Sequence, residues 1–475
     1  MSTTTAEAPK KNRTVLDQHG QSYELTGRIG EGGQGIVCTT NYPNVLVKVA
    51  RATTEEKRAS WTNKIRALMR QPLEGLPIAH PLALITQPQP GYVMELMDGL
   101  APMTELMQVA TDSLMSDDGL SGYVKTGGLL RRLKMLARLA RVLAQLHGRG
   151  LAYGDLSPAN VFASQSLEYA EVWLIDADNV ASQSRDGQQG VFTPDYGAPE
   201  ILRGETGINT LTDSWSFAVM AYRILTLVHP LKGDVVLEGE PEREEAALRG
   251  ELPWVDHPVD RSNALSIGLP REITLNAPLR ALFERCFNAG LNSPGERPSL
   301  SEWADAFEAA TGHCDQCESC GSTFFYTPKQ TCPFCDHAQD KNRTILLQEY
   351  RYMPPELLRE GLTEDVPESL IRKECWTRTG KALVLSVSPA ELKTLPLGTS
   401  LYADASPLCT VQLAKDGLWI EPSAGARVSL QRASDDKVVA VARRQRLKSE
   451  SRSGVSFWLH LGAVEEEHVV WRFNW

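Results

Sequence analysis

The sequence predicts an α+β chain in three parts: a large two-lobed domain over residues 21–311, a four-cysteine segment at 312–340 and a β-rich domain at 345–475. Three observations lead there. From about residue 21, strand-like runs give way to helical patterns with no long Gly/Ser linker before 311, a length that suits one large domain. Five of the nine cysteines fall between Cys314 and Cys335, which is metal-ligand spacing and not a chain-wide disulfide frame. Beyond them, short apolar runs ("ALVLSVSP", "CTVQLAKDGLWIEP", "VSFWLHLG", "HVVWRFNW") are broken by Gly, Pro, Asp and Ser, the pattern of successive strands.

Composition narrows the class. With 42% hydrophobic and 23% charged residues, the chain is an ordinary globular protein. It has no apolar run of about 18 residues, and its start, "MSTTTAEAPKKNRTVLDQ", lacks the apolar stretch of a secretory signal. A cytoplasmic protein with no membrane contact is expected. The net charge of −10 argues against general nucleic-acid affinity, which depends on Lys and Arg neutralising phosphates. Residues 1–20 carry little apolar surface and are expected to be disordered.

The first chemical motif is "GRIGEGGQGIV", with Gly30, Gly32 and Gly35 in G-x-G-x-x-G spacing and Val37 just beyond. A dinucleotide-binding loop shares the spacing but opens a helix, whereas these glycines lie between strand-like runs, "YELTGRI" and "GIVCTT". The next strand, "VLVKVA", carries Lys48 among apolar residues. An unpaired buried ammonium costs several kcal/mol. Lys48 therefore either meets an anion, for which a phosphate would serve, or snorkels from an edge strand.

Residues 129–150, "LLRRLKMLARLARVLAQLHGRG", place Leu129, Leu133, Leu136, Ala140, Leu143 and Leu146 at helical spacing, with arginines on the other face and a glycine stop. This core helix delivers "LAYGDLSPANVF", which sets Asp155, a proline and Asn160 one short turn apart. Alone, that is a catalytic pair or an Asx-rich turn that reverses the chain. Next comes "AEVWLIDADNV", an apolar strand ending in Asp176. Asp155, Asn160 and Asp176 brought together can position a hydroxyl and hold Mg²⁺ with hard oxygen ligands.

In the cysteine stretch, Cys317-x-x-Cys320 and Cys332-x-x-Cys335 are separated by eleven residues, the spacing of two zinc knuckles facing across a short hairpin. Four thiolates would make a closed, structural Zn²⁺ site. Cys314 can replace one ligand, and His313 and His337 are further candidates; free or redox-active cysteines are the alternative. Zinc is expected because so short a segment cannot bury a core of its own.

Taken in order, these motifs resemble the protein kinase superfamily over about residues 23–311. The glycine loop and strand lysine are followed by "VMELM" at the hinge, "YGDLSPAN" as the catalytic loop and "LIDAD" as the metal-binding loop. "TPDYGAPE" closes the activation segment, "LTDSWSFAV" forms the helix behind it and "GERPSL" lies near the end. The resemblance implies a two-lobed protein kinase-like fold that transfers phosphate from ATP to a protein Ser or Thr. Under it, Gly30, Gly32 and Gly35 let backbone amides approach the ATP phosphates, with Val37 beside them, and Lys48 pairs with the α- and β-phosphates. Asp155 orients the acceptor hydroxyl and takes its proton, while Asn160 and Asp176 hold Mg²⁺. Met94 is the gatekeeper, and Glu95 to Met97 form the adenine-binding hinge. Glu200 and Arg297 match a buried ion pair, and Asp213 matches the aspartate that braces the catalytic-loop backbone.

The departures are specific. Tyr153-Gly154-Asp155 stands for His-Arg-Asp, so the arginine that receives an activation-loop phosphate is missing. Ser157 replaces the catalytic-loop lysine, Ala177 and Asp178 replace the last two residues of Asp-Phe-Gly, and Leu46 stands where an alanine roofs the adenine. The acidic partner of Lys48 is open between Glu55 and Glu56, with Glu56 favoured. This pattern, with the zinc-ribbon-like tail, resembles bacterial kinases of tellurite-resistance-associated triads. That likeness implies a stress or signalling module with a von Willebrand A-domain protein and a metal-dependent protein phosphatase as partners. The strand spacing of the tail resembles a forkhead-associated sandwich, without the arginine and Ser-x-x-His features of phosphothreonine readers. Its run "RRQRLKSESR" (443–452) reads as a solvated strand end or hairpin loop, with phosphate or phosphopeptide binding as the alternative. Three functions compete: an active Ser/Thr protein kinase, a pseudokinase scaffold favoured by Ser157 and Ala177, and a small-molecule phosphotransferase, since "GDLSPAN" also resembles aminoglycoside and choline kinase loops.

Overall fold

The computed structural model describes residues 13–31, 35–51, 54–95, 98–116, 118–182, 192–327, 331–340, 342–360, 366–386, 388–394, 405–435 and 437–475. The expectations for residues 1–12, Gly32 and Met97 lie outside these residues. The chain forms two compact units, Met1–Ala306 and Phe307–Trp475.

The first unit begins with a closed six-stranded barrel, in the order β1-β2-β3-β4-β6-β5. Its strands are β1 (Arg13–Asp17), β2 (Ser22–Glu31), β3 (Gly35–Thr40), β4 (Val45–Ala50), β5 (Ala83–Gln87) and β6 (Gly91–Glu95), with helix α1 (Glu55–Leu68) between β4 and β5. Alternate residues point inward, so Val15, Val47, Ile85 and Val93 make one apolar core. β1 corrects the expected disorder over 13–17. Val15 is only 3% exposed, and β1 pairs with both β2 and β5, closing the sheet.

The larger lobe starts with β7 (Leu100–Pro102), α2 (Met103–Leu114), α3 (Ser121–Lys125) and α4 (Gly128–Gly148). The leucines at helical spacing in α4 are buried as expected. Arg131 and Arg132 are buried too, which corrects the outward face assigned to the arginines. They are satisfied by carbonyl oxygens: Arg132 donates to Ile224, Tyr123 and Gly128, and Arg131 to Thr126, Tyr169 and Ser164. Burying a guanidinium is tolerable only with such acceptors.

After the short strands β8 (Leu151–Ala152), β9 (Val161–Ser164), β10 (Val172–Leu174) and β11 (Ala181–Ser182) come α5 (Pro199–Leu202) and α6 (Thr210–Thr226). α6 is buried on all sides from Thr212 to Tyr222, so it is the central helix of the lobe. Asn209 caps it with a reciprocal capping box. Beside it, Arg297 makes two bonds to Glu200, at 2.7 and 2.8 Å, and lies over the Trp215 ring at 4.9 Å. Arg297→Ala would strand a buried carboxylate, so unfolding measurements should show a loss of about 3–5 kcal/mol. A loss below about 1 kcal/mol, the range of exposed pairs, would contradict the burial.

The second unit begins within the helix Leu300–Gly312, followed by a hairpin, β12 (Cys314–Gln316) and β13 (Thr323–Phe325), and continues as two packed sheets. The six-stranded sheet runs β15 (Trp376–Leu385), β14 (Ile345–Tyr352), β23 (His468–Asn474), β22 (Ser456–His460), β19 (Ser429–Arg432) and β20 (Val438–Ala440). The four-stranded sheet runs β16 (Ala390–Lys393), β17 (Pro407–Ala414), β18 (Gly417–Pro422) and β21 (Gln445–Lys448). Cys409, Val411 and Leu413 from β17 meet Leu459, Trp471 and Phe473 from the other sheet in one core, the inward alternation of a β-sandwich. Most of "RRQRLKSESR" is exposed strand β21 and the 3-10 turn after it. Arg444 and Arg446 flank Trp419, with ring-centre distances of 4.4 and 5.3 Å, and pair with Glu421 and Asp416. Among the described residues, no helix is long and apolar enough to cross a membrane.

Candidate active site

The loop after α4 is shaped by one buried carboxylate. Asp213 of α6 accepts bonds from the backbone N–H groups of Tyr153 (2.6 Å) and Gly154 (2.9 Å), and His147 Nε2 lies 3.0 Å from it. The Tyr153 hydroxyl donates to the Ile175 carbonyl, tying this loop to the Asp176 loop. Gly154 has φ +90°, and a Cβ there would sit 2.9 Å from Ile208 Cδ1 and 3.1 Å from the Asn179 oxygen. The site has no room for the arginine that its motif position would otherwise carry. Gly154→Ala should cost about 1–2 kcal/mol from the backbone alone, read as a lower thermal midpoint, and an unchanged midpoint would refute the strained geometry.

Held this way, Asp155 is half-buried and fully engaged. Its Oδ1 accepts from the Thr193 backbone N–H and hydroxyl, both at 2.8 Å, and its Oδ2 accepts from Asn160 Nδ2 at 3.1 Å. Asn160 Nδ2 also donates to the Asp155 carbonyl at 2.8 Å. The amide nitrogen is therefore committed to Asp155, and the amide oxygen is the group left to serve a cation, which suits a hard metal. Sequence reasoning missed the contact with Thr193, because nothing in a linear pattern links a residue in "TPDYGAPE" to the catalytic loop.

Lys48 lies on β4, paired in register with Val37 on β3 and Tyr92 on β6. It is 4% exposed, and its Nζ reaches Asp176 Oδ1 at 2.6 Å and Asp178 Oδ2 at 2.7 Å. Burial disfavours the ammonium, but the charges of Asp178 and Asp176 outweigh it and hold the Lys48 pKa above its ordinary value. Asp176 sits in a left-handed conformation (φ 56°) at the head of the 3-10 turn Ala177–Asn179, and its side chain is 31% exposed. Glu56, favoured as the partner of Lys48, does not fill that role. Glu55 and Glu56 occupy the exposed first turn of α1, while the buried lysine takes its carboxylates from the Asp176 loop.

The remaining expected positions border this centre. Gly30 lies in β2 opposite Val37. Gly35 opens β3, where a Cβ would stand 2.6 Å from the Val49 oxygen, so only glycine fits. Leu46 and Met94 are cross-strand partners and both buried, and Glu95 ends β6 exposed. Ser157 is buried, and its hydroxyl has no partner among the described residues.

A second cluster lies in the other unit. The sulfurs of Cys317, Cys320, Cys332 and Cys335 all lie within 4.8 Å of one another, with Cys317–Cys335 and Cys320–Cys332 each at 3.7 Å. A tetrahedron with Zn–S bonds of about 2.3 Å needs sulfurs about 3.8 Å apart, so the four fit one Zn²⁺. Their second sphere is also built: Ser319 N–H (3.4 Å) and Gln339 Nε2 (3.1 Å) donate to Cys317, and Phe334 N–H (3.4 Å) to Cys332. Burial opposes ionisation of Cys317, but N–H donors from Cys320, Ser319 and Gln339 outweigh it and bring the thiol to about 6. Cys317, Phe324 and Cys332 share a small core with Phe334. Cys314 is outside the group, its sulfur 3.6 Å from the Ala310 carbonyl.

Comparison with known proteins agrees with the geometry. The chain is 31% identical over 189 residues to the serine/threonine-protein kinase pkn2 of Myxococcus xanthus, a stretch covering 38% of this chain and 20% of that protein. It is 27% identical over 237 residues to the serine/threonine-protein kinase PknD of Chlamydia felis, covering 45% and 25%. It is 30% identical over 106 residues to myosin light chain kinase A of Dictyostelium discoideum, covering 22% and 36%. The chain thus spans about a fifth to a third of the length of these relatives. Residues 23–305 match the protein kinase domain, and this match over more than half of the 475 residues makes the chain a member of the protein kinase family.

Proposed function

We propose that this chain is an ATP- and Mg²⁺-dependent Ser/Thr protein kinase. The observation that carries the reading is Asp155, fixed by Thr193 and Asn160 in the same compact unit as a buried barrel lysine that faces Asp176. Asp155 orients the acceptor hydroxyl and takes its proton as that oxygen bonds to the γ-phosphorus and the bond to the β–γ bridging oxygen breaks, releasing ADP. Lys48 neutralises the α- and β-phosphates under the backbone of Gly30, Gly32 and Gly35. Val37 and Met94 wall the nucleotide, and Glu95 to Met97 meet the adenine. Asn160 and Asp176 would hold Mg²⁺, which supplies charge neutralisation at the transferring group. Two bacterial relatives named serine/threonine-protein kinases support the choice of acceptor, and the family match favours a protein over a small-molecule acceptor.

In the other unit, Cys317, Cys320, Cys332 and Cys335 would hold a structural Zn²⁺, and the sandwich would act as an adaptor. The finer reading is a cytoplasmic bacterial stress or signalling module, with a von Willebrand A-domain protein and a metal-dependent protein phosphatase as partners. It rests on the likeness of "DADN" and "DYGAPEI" to tellurite-resistance-associated kinases.

The test is incubation with labelled ATP, Mg²⁺ and a generic protein substrate beside an Asp176→Ala control. Phosphoserine or phosphothreonine well above the control is expected. A pseudokinase, favoured by the short, buried Ser157 in place of a lysine, would bind nucleotide yet transfer no more than the control.

A further inference from the structure

The partner of Lys48 is unusual in where it comes from. Helix α1 carries only two acidic residues, Glu55 and Glu56, both in its first turn and both exposed. Facing the barrel it presents Trp61 instead, whose ring stacks on Tyr92 at 5.9 Å and 18°. The carboxylate that fills the gap is Asp178, 2% exposed, and both of its oxygens are used. Oδ2 accepts from Lys48 Nζ at 2.7 Å, and Oδ1 accepts from the Tyr92 hydroxyl at 2.8 Å. Tyr92 is the cross-strand neighbour of Lys48, so one carboxylate is clamped by two donors projecting from adjacent strands.

Asp176 is bound differently. It offers one oxygen to Lys48, at 2.6 Å, and its side chain is 31% exposed. The 3-10 turn Ala177–Asn179 brings the two carboxylates to the same ammonium. One of them is locked in the interior and the other is open to the site.

We propose that Asp178 is the positioning residue for Lys48, supplying from the metal-binding loop the fixed carboxylate that α1 does not carry. A buried ammonium needs a permanent counter-charge, and Asp178 provides it while Asp176 stays available to the site. The position of the lysine then depends on the Asp176–Asn179 loop and the barrel, and not on a displacement of α1. The catalytic arm of this inference rests on the kinase reading.

The test is a double-mutant cycle between Asp178→Asn and Lys48→Met, read three ways on the full chain: phosphotransfer, affinity for a fluorescent ADP analogue in EDTA, and thermal midpoint. Asp178→Asn keeps shape and removes the charge. With Lys48 present it should lower kcat at least tenfold with KM for the protein substrate changed less than twofold. It should also weaken nucleotide binding at least fivefold. In the Lys48→Met background the same substitution should change kcat and nucleotide affinity less than twofold and should not lower the thermal midpoint, because the ammonium it serves is gone and the buried carboxylate has lost its counter-charge. If Asp178→Asn fails to fold, Lys48→Met should restore folding. Equal effects in both backgrounds, or unfolding in both, would overturn the proposal and leave Asp178 as a packing residue. A parent protein that transfers no phosphate would remove the kinase reading, yet the metal-free binding and melting arms would still decide the role of Asp178.

Discussion

Asp155→Asn is expected to lower kcat for phosphotransfer by roughly 10²–10⁴-fold, the contribution of a positioned general base, while the thermal midpoint moves little. The substitution keeps shape, and with its amide oxygen toward Thr193 the N–H and hydroxyl that donate to Oδ1 at 2.8 Å retain an acceptor, while the proton-accepting charge is lost together with the bond that Oδ2 accepts from Asn160. Asp176→Ala should be at least as severe, because it removes the partly exposed carboxylate proposed for Mg²⁺. It should also leave the fold intact for a reason visible in the site: Lys48 would still face Asp178 at 2.7 Å, so no buried charge is left unpaired. The pair of results matters more than either alone. A large loss of rate with an unchanged melt locates the effect in chemistry, whereas a matched loss of both would indicate collapse. Parent-level activity in either variant would remove the assigned roles. A hundredfold change corresponds to about 2.7 kcal/mol in the barrier, well above assay error.

Much of this site could be read from the sequence because its parts are local. The glycine run, Lys48 within an apolar strand and the Asp155–Asn160 turn are each defined by a few neighbouring residues, and their order suffices to name the architecture. What could not be read depends on the chain folding back. Asp178 shows in sequence only as a replacement for glycine two positions after Asp176. That it meets Lys48 follows from a 3-10 turn and from Tyr92 on a distant strand donating at 2.8 Å. Thr193 reaches Asp155 from the closing stretch of the activation segment in the same way. Helical periodicity sent Arg131 and Arg132 outward because a pattern sees charge and not acceptors. The carbonyls of Thr126, Gly128, Ser164 and Ile224 that receive them exist only once α4 is packed. β1 escapes a pattern for a related reason: five residues with only two apolar side chains, Val15 and Leu16, side by side carry too weak a strand signal until closure of the barrel buries Val15.

Purified protein should contain about one zinc per chain, retained through dialysis, because closed four-thiolate sites bind with about 10–16 kcal/mol near neutral pH. Sulfurs paired at 3.7 Å already stand at the separations of a tetrahedral ion, so binding needs little rearrangement. Cys332→Ser should release the metal and loosen the segment, since Cys332 is a ligand candidate and also packs with Cys317 and Phe324 in its small core. Without the ion, that core is too small to order the chain. The lesion should be local. Limited proteolysis should cut near residues 313–345, while the first unit, which has its own barrel core and buried helix α6, keeps nucleotide binding. Cys314→Ser should retain the zinc, because that sulfur faces the Ala310 carbonyl at 3.6 Å and lies outside the cluster. Elemental analysis finding no zinc in protein prepared without chelators would end the proposal. Zinc lost with Cys314→Ser but kept with Cys320→Ser would mean that a different set of four ligands holds it.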